Sequence, residues 1–488
     1  MAEPLWTSSE IAAATGGRVG GEFVASTVHF DSRLVGSGAL FVALPGEVAD
    51  GHEFVASALE RGAAGALVQS DYTASVALEP RLIRVANVAQ ALDDLAQAAR
   101  ARMSGVVIGI TGSAGKTGTK DALYRAIGRS GFVHASEKSF NNHVGVPISL
   151  VRMPQSAQYG IFELGMNAPG EIGTLAAMVQ PDIAIVTSIG LAHRAGFEKD
   201  EDIAHAKAEI FDHVTPGGSI IFAKECKYLD ILMARAKSSA AARIVTTSLQ
   251  DDQADVYAER IVYHDTCTCM TARVFDKKIT FKVAQPGQHL AANSLNVLAA
   301  VYLSGADLAL AGVALGTMQA IHGRGRRYQV NMGDQSIVVI DESYNANPLS
   351  MAASLKVLAQ TRPQTRAGRR VAVLGDMEEL GSAAEKAHMA LADKIIDAGV
   401  SQLFAFGPKM TRVAEHLHPR VKAEGFIDKN SLMAALRQQT RPGDVIMVKG
   451  SNAQGMDEVV AMLLALEETS DEGRSQGLAA HISAARTG

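Results

Sequence analysis

Short apolar runs alternate with longer stretches of helical spacing along most of the 488 residues. Val106-Val107-Ile108-Gly109-Ile110-Thr111 predicts a buried strand. Ala122, Leu123, Ala126 and Ile127 after it predict a helix starting near Lys116. Ile161-Phe162, Ile183-Ala184-Ile185-Val186 and Ser219-Ile220-Ile221-Phe222-Ala223 predict further strands, each leading into polar or small residues. Strand–helix alternation from Val106 to about His322 predicts a mainly parallel sheet covered on both faces. Between Val256 and Val283 the period changes to two, which predicts an antiparallel extension.

The same alternation resumes near Arg327. Ile337-Val338-Val339-Ile340, Val371-Ala372-Val373-Leu374, Leu403-Phe404-Ala405-Phe406 and Val445-Ile446-Met447-Val448 predict a second doubly wound sheet. Before Arg102 the elements are shorter, with Phe41-Val42-Ala43-Leu44 as a strand and Gly62 to Val68 as a helix end feeding another. The expected fold is therefore α/β in three domains. These are a small N-terminal α/β domain over 1–103, a central phosphate-loop domain over 104–325 and a C-terminal doubly wound domain over 326–467. The polar run from Glu467 to Arg474 opens a tail, 468–488, that is expected to be mobile.

Composition narrows the class. A hydrophobic share of 47% with 5% aromatic suits an α/β protein with ample core, and a net charge of −5 offers no basic footprint for nucleic acid. The chain has no apolar run of about 18 residues and no basic-then-apolar leader, so a soluble, cytoplasmic protein is expected, without membrane insertion. Cys226, Cys267 and Cys269 make no disulfide framework, and the last two fit a same-face strand pair.

Candidate chemistry begins where the first central strand ends. Thr111-Gly112-Ser113-Ala114-Gly115-Lys116-Thr117 lacks the earlier glycine of the common phosphate-loop pattern, since Ile110 stands there. A glycine turn leading into a helix still points backbone N–H groups into one concavity, with positive helix-end potential behind them. Lys116 then reaches phosphate oxygens and Thr117 a Mg²⁺ ion. Glu163 closes an apolar strand and suits the same ion if its strand neighbours the loop strand. His193 follows the next strand, at the end where open α/β sheets bind ligands. Lys207 falls inside the apolar stripe of Ile203, Ile210, Phe211 and Val214. There it either snorkels to water or, deprived of water, keeps a neutral amine able to take up CO₂ as a carbamate. Asn293 sits among small apolar neighbours on a helix opened by Gly287, facing a ligand or capping the backbone. In Asp341-Glu342-Ser343-Tyr344-Asn345-Ala346-Asn347-Pro348, Asn347 and Pro348 read as a helix cap and first turn. Asp341 and Asn345 stand outside that cap, free to meet a ribose or base. Asp31-Ser32-Arg33 reads as a capped turn, with Arg33 able to offer a planar fork to a phosphate.

These motifs, in this order, resemble the Mur ligases, ATP-dependent amide-forming enzymes of peptidoglycan precursor synthesis. Asn141-Asn142-His143-Val144-Gly145-Val146-Pro147, Ala206-Lys207, Gly287 to Asn293 and Gly323-Arg324 complete the set, which covers nearly the whole chain. The runs Asp341 to Pro348 and Leu374 to Gly381 favour the branch that joins D-alanyl-D-alanine to UDP-N-acetylmuramoyl-tripeptide, and Asp-Asn-Pro-Arg, expected of the diaminopimelate-adding branch, is absent. The resemblance implies that Gly112, Ser113, Ala114, Gly115, Lys116 and Thr117 hold the ATP phosphates, and that Asn293, Arg324, Asp341 and Asn345 hold adenine, ribose or phosphate. It places one Mg²⁺ on Thr117 and Glu163 and a second on His193 and a carbamylated Lys207, with Lys116, His193 and Lys207 as the catalytic set. Ser32 and Arg33 are implied at the UDP end of the substrate, Asn141 and Asn142 near the acceptor carboxylate, and Lys449 near the incoming amine. Asn452 stands where the family often has Arg. A monomer is expected. The competing readings are a sister ligase adding one amino acid, which shares the ATP motifs, and a nucleotide-binding switch, which leaves Glu163, His193 and Lys207 without a purpose.

Overall fold

The computed structural model describes residues 4–46, 49–192 and 194–467. His193 and the tail from 468 onward lie outside the described residues. Three larger sheets organise the rest.

The central sheet has nine strands. Val106–Thr111 lies between Tyr159–Glu163 and Ile183–Val186, both parallel to it. Glu163 pairs in register with Ile110 and Val186 with Thr111, so both neighbours deliver their last residues to the level of the loop. Ser219–Ala223 and Arg243–Ser248 extend the parallel part. Val256–Tyr263, Thr268–Val274 and Lys277–Val283 form the antiparallel extension expected from the period-two alternation. Their inward positions Val256, Met270, Ala272, Val274, Phe281 and Val283 join the core beneath the helix Gln288–Leu303. The helix carrying Lys207 starts earlier than its apolar stripe suggested, at Asp200, and passes after Ala208 into a 3-10 turn over Glu209–His213.

The C-terminal sheet has six strands, in the spatial order Arg326–Met332, Gln335–Glu342, Val445–Lys449, Arg370–Gly375, Gln402–Phe406, Lys422–Phe426. The first pair is antiparallel and the others are parallel. Lys422–Phe426, with Gly425 and two charged residues, carries too little apolar signal to be predicted as a strand. At the N-terminus a five-stranded sheet and a two-stranded ribbon are covered by the helix Val88–Arg102.

The first and second units share one core cluster, beside a further cluster confined to each. Val88, Ala91, Leu92, Leu95, Ala96 and Ala99 form a single stripe on that helix and pack in the same cluster as Ile148, Phe162 and Leu175 of the central unit. Trp6 Nε1 donates to Val151 O across the junction at 2.8 Å, and Arg102 lies 3.5 Å over the Trp6 ring while donating to Leu5 O. The third unit has two core clusters of its own, one on each face of its sheet. Among the described residues no helix is long and apolar enough to cross a membrane.

Candidate active site

The loop between Thr111 and Lys116 follows from its glycines and its neighbours. Gly115 has φ +87°, and a Cβ there would come 2.5 Å from Asn293 Nδ2, so only glycine allows both the turn and the contact. It also N-caps the helix Lys116–Ile127 without a side-chain bond, leaving the first amides open to an anion. The segment after the neighbouring strand clamps the loop. Ser113 N donates to Ser188 O at 2.8 Å, Ala114 N donates to Ser188 Oγ at 3.1 Å, and Thr187 Oγ1 donates to Ala114 O at 2.7 Å. Ser113 Oγ donates to Gly190 O and accepts from Gly190 N. Thr187, Ser188 and Gly190 escaped the sequence reading. Their signal was their place just beyond a strand flanking the loop strand.

Strand register puts Glu163 beside the loop, almost fully buried. Thr117 Oγ1 donates to Glu163 Oε2 at 2.8 Å, and Asn141 Nδ2 donates to Glu163 Oε1 at 2.8 Å. A hydroxyl and a carboxylate at the mouth of an anion-binding loop are hard oxygen donors. They suit a Mg²⁺ ion that keeps waters and takes phosphate oxygens as its remaining ligands. Among the described residues no group of three or more His, Cys, Asp or Glu forms a self-sufficient metal cage. Lys116 Nζ donates back to Gly112 O at 2.8 Å, and burial lowers its pKa against the opposing pull of Glu163.

Lys207 is 1% exposed. Burial, reinforced by the nearby Lys116 ammonium, pushes its pKa well below the ordinary lysine range. The snorkelling alternative is therefore excluded, because the head group does not reach water. Lys207 does not line the cavity described next.

One cavity of about 1100 Å³ joins the central and third units. The loop, Asn141, Asn142, Glu163 and Asn293 line it from the central unit, Asn345 and Lys449 from the third, and Arg324 from the junction between them. Asn142 Oδ1 accepts from the N–H of Gly145, first residue of the next helix, at 2.8 Å. Lys449 is buried, donates to Asn345 O at 2.9 Å and lies 3.5 Å from Glu342 Oε2. Burial lowers its pKa while Glu342 opposes the shift. Arg324 stacks 3.9 Å over the Tyr344 ring, whose hydroxyl donates to Ser139 Oγ of the central unit at 2.9 Å. Asp341 does not line the cavity. It is fully buried, and its carboxylate accepts from Gly323 N at 2.8 Å and from Ser343 Oγ at 2.6 Å, fixing the inter-unit linker. Ser32 and Arg33 lie apart from this cavity as well. Arg33 projects into solvent, forked onto Asp31, whose carboxyl it holds at about 2 through hydrogen bonds.

A partly buried glycine loop with an oxygen-donor pair, facing side chains of the third unit across one cavity, is suited to an enzyme that handles nucleoside phosphates. Family profiles say which. "Mur ligase family, catalytic domain" matches residues 25–100, "Mur ligase middle domain" 110–301 and "Mur ligase, glutamate ligase domain" 326–452. The chain belongs to the Mur ligase family. It is 34% identical to a UDP-N-acetylmuramoyl-tripeptide–D-alanyl-D-alanine ligase of Mycobacterium tuberculosis, over 91% of this chain and 92% of the relative. It is 29% identical to the ligase of that name from Escherichia coli, over 91% and 95%. A crystal structure titled MurF, from Acinetobacter baumannii, superposes with a TM-score of 0.82 at 27% identity, covering 95% of this chain and 99% of that one. A Thermotoga maritima MurF ligase in complex with ADP, 23% identical, shares the fold with a TM-score of 0.77 over 91% and 98%.

Proposed function

We propose that this enzyme joins D-alanyl-D-alanine to UDP-N-acetylmuramoyl-tripeptide with ATP, in cytoplasmic peptidoglycan precursor synthesis. The observation that carries the reading is the meeting, in one cavity, of the phosphate loop with its Thr117–Glu163 pair and of Arg324, Asn345 and Lys449. Nearly full-length likeness to ligases of that name supplies the substrates. The division at 103/104 and 325/326 is part of the proposal.

A carboxylate does not condense with an amine in water, because hydroxide-like oxygen is a poor leaving group. Passing the γ-phosphoryl group to it makes an acyl phosphate and releases ADP. The dipeptide amine then attacks the acyl carbon. The tetrahedral intermediate expels inorganic phosphate, and the nitrogen loses a proton to solvent. Loop amides and Lys116 stabilise the charge spread over the transferring phosphoryl oxygens. Mg²⁺, held by Thr117 and Glu163 when bound, neutralises phosphate charge. Asn141 orients Glu163 and, with Asn142, lies where the acceptor carboxylate enters. Asn293 and Asn345 face the nucleotide, with Arg324 on its phosphates, and Lys449 lies toward the amine. Ser32 and Arg33 are assigned to the UDP end. Asp341 reaches a ribose only if its linker bonds open.

Lys207 is proposed as a carbamate. Its neutral amine bonds to the carbon of CO₂, loses one proton and becomes an anion able to complete a second Mg²⁺ site with His193. Burial of the amine supports this. Phosphate release measured across a panel of amines tests the whole reading. D-alanyl-D-alanine is expected to stimulate it most, and equal stimulation by single amino acids overturns it.

A further inference from the structure

Asn347 looks in the sequence like a helix cap and nothing more. In the fold its side chain has two partners on two units. Oδ1 accepts from Ser350 N at 2.9 Å, which caps the helix Pro348–Gln360. Nδ2 donates to Ser113 O at 3.0 Å, inside the phosphate loop. That carbonyl belongs to the same planar peptide unit as the Ala114 N–H, which Ser188 Oγ receives at 3.1 Å. One peptide plane is therefore held from one edge by the central unit and from the other by the third. Its orientation sets how the next amides, those of Gly115, Lys116 and Thr117, face an incoming phosphate.

A second contact of the same helical turn reaches the same clamp. Leu349 lies so close over Gly190 that a Cβ there would sit 2.3 Å from Leu349 Cδ1. Gly190 is the residue whose N–H and C=O both engage Ser113 Oγ. The first turn of the Pro348–Gln360 helix thus rests on the loop at Asn347 and on the loop's clamp at Leu349.

We infer that Asn347 is a positioning residue for phosphoryl transfer: its amide donor ties the third unit to the Ser113–Ala114 peptide and sets the phosphate loop only when that unit is docked. The inference rests on the ligase reading, because it presupposes that ATP is the loop's ligand. It makes closure of the third unit and competence of the loop one event rather than two.

The cap and the tie can be separated. Asp and Ser are N-caps as good as Asn, and neither can donate an amide to Ser113 O. Wild type, Asn347→Asp and Asn347→Ser are compared in full-length protein by thermal melting and by ADP release at varied ATP. The expected result is melting like wild type with KM for ATP raised about tenfold, the loss of one well-placed hydrogen bond. Gly190→Ala, which displaces Leu349 without touching Asn347, is expected to raise the same KM. Wild-type KM and kcat in Asn347→Ser overturn the inference. So does a loss of activity in both cap variants matched by an equal loss of melting temperature, which marks a structural role alone. Absence of ADP release from the wild type refutes the ligase reading instead, and is thereby told apart.

Discussion

At the scale of single residues, the chemistry divides between groups that meet the nucleotide and groups that hold them. On the proposed reading, Lys116 and Thr117 are the direct ones. Lys116→Ala is expected to lower kcat by about 10²–10³-fold, as for loss of one preorganised donor to developing charge, measured as ADP release at saturating ATP. Lys207→Ala is expected to lose most activity and recover part of it when short carboxylic acids are added, because a free carboxylate can stand in for the carbamate. Full activity of that variant in CO₂-depleted buffer contradicts the role. Lys207 was half legible in the sequence. Its place in an apolar stripe announced burial, but the stripe alone left snorkelling open, and only packing closed that exit. Asn347 is the cap that the sequence announced, but its second partner was not legible, for a related reason. Local spacing reveals a cap, whereas a partner 234 positions away has no local signature.

At the scale of elements, strand order did much of the work. The sequence showed apolar runs ending in Thr111, Glu163 and Val186. That the last two flank the first became certain only from the pairing, and with it the Thr117–Glu163 contact. The loop carrying Ser139, Asn141 and Asn142 is held by a buried cation that no motif marked. Lys120, one turn past Lys116, donates to Ser136 O at 2.7 Å and also to Lys138 O. Lys120→Met leaves two carbonyls without their donor, at a cost of about 1–3 kcal/mol. A lower melting temperature together with weaker Mg²⁺-dependent activity is expected. A second element carries a pH response. His388 in the helix Ala384–Met389 accepts from Met377 N at 2.9 Å and donates from Nδ1 to Ala384 O, and burial lowers its pKa. The unfolded chain, with an ordinary His pKa of about 6.5, takes up the proton first as pH falls. The stability it contributes is therefore complete above that value and is lost on acidification toward the folded pKa. Melting between pH 7.5 and 5.5 (roughly one unit either side of the free value) is expected to show a fall that is shallower in His388→Gln.

At the scale of the whole molecule, two kinds of boundary separate the three units. Between the first and second there is a shared core, with Leu92 and Leu95 packed among central-unit residues. Between the second and third there are linker bonds at Asp341, the Tyr344–Ser139 and Asn347–Ser113 contacts, and a cavity. The order of residues shows where helical and strand periods change, but not whether two units share a core cluster across a boundary, which depends on faces meeting from distant segments. A fragment over 326–467, whose two clusters of buried residues are its own, is expected to melt cooperatively alone, whereas one over 1–103 keeps one small cluster, loses the larger shared one and is expected to melt far lower. The boundary with the cavity is where the reaction is proposed, phosphate passing there onto a carboxylate. Labelling the acceptor carboxylate of UDP-N-acetylmuramoyl-tripeptide with oxygen-18 and analysing the released phosphate by mass tests this most directly. With D-alanyl-D-alanine and ATP present, one labelled oxygen is expected in each phosphate. Amide product accompanied by unlabelled phosphate would contradict it.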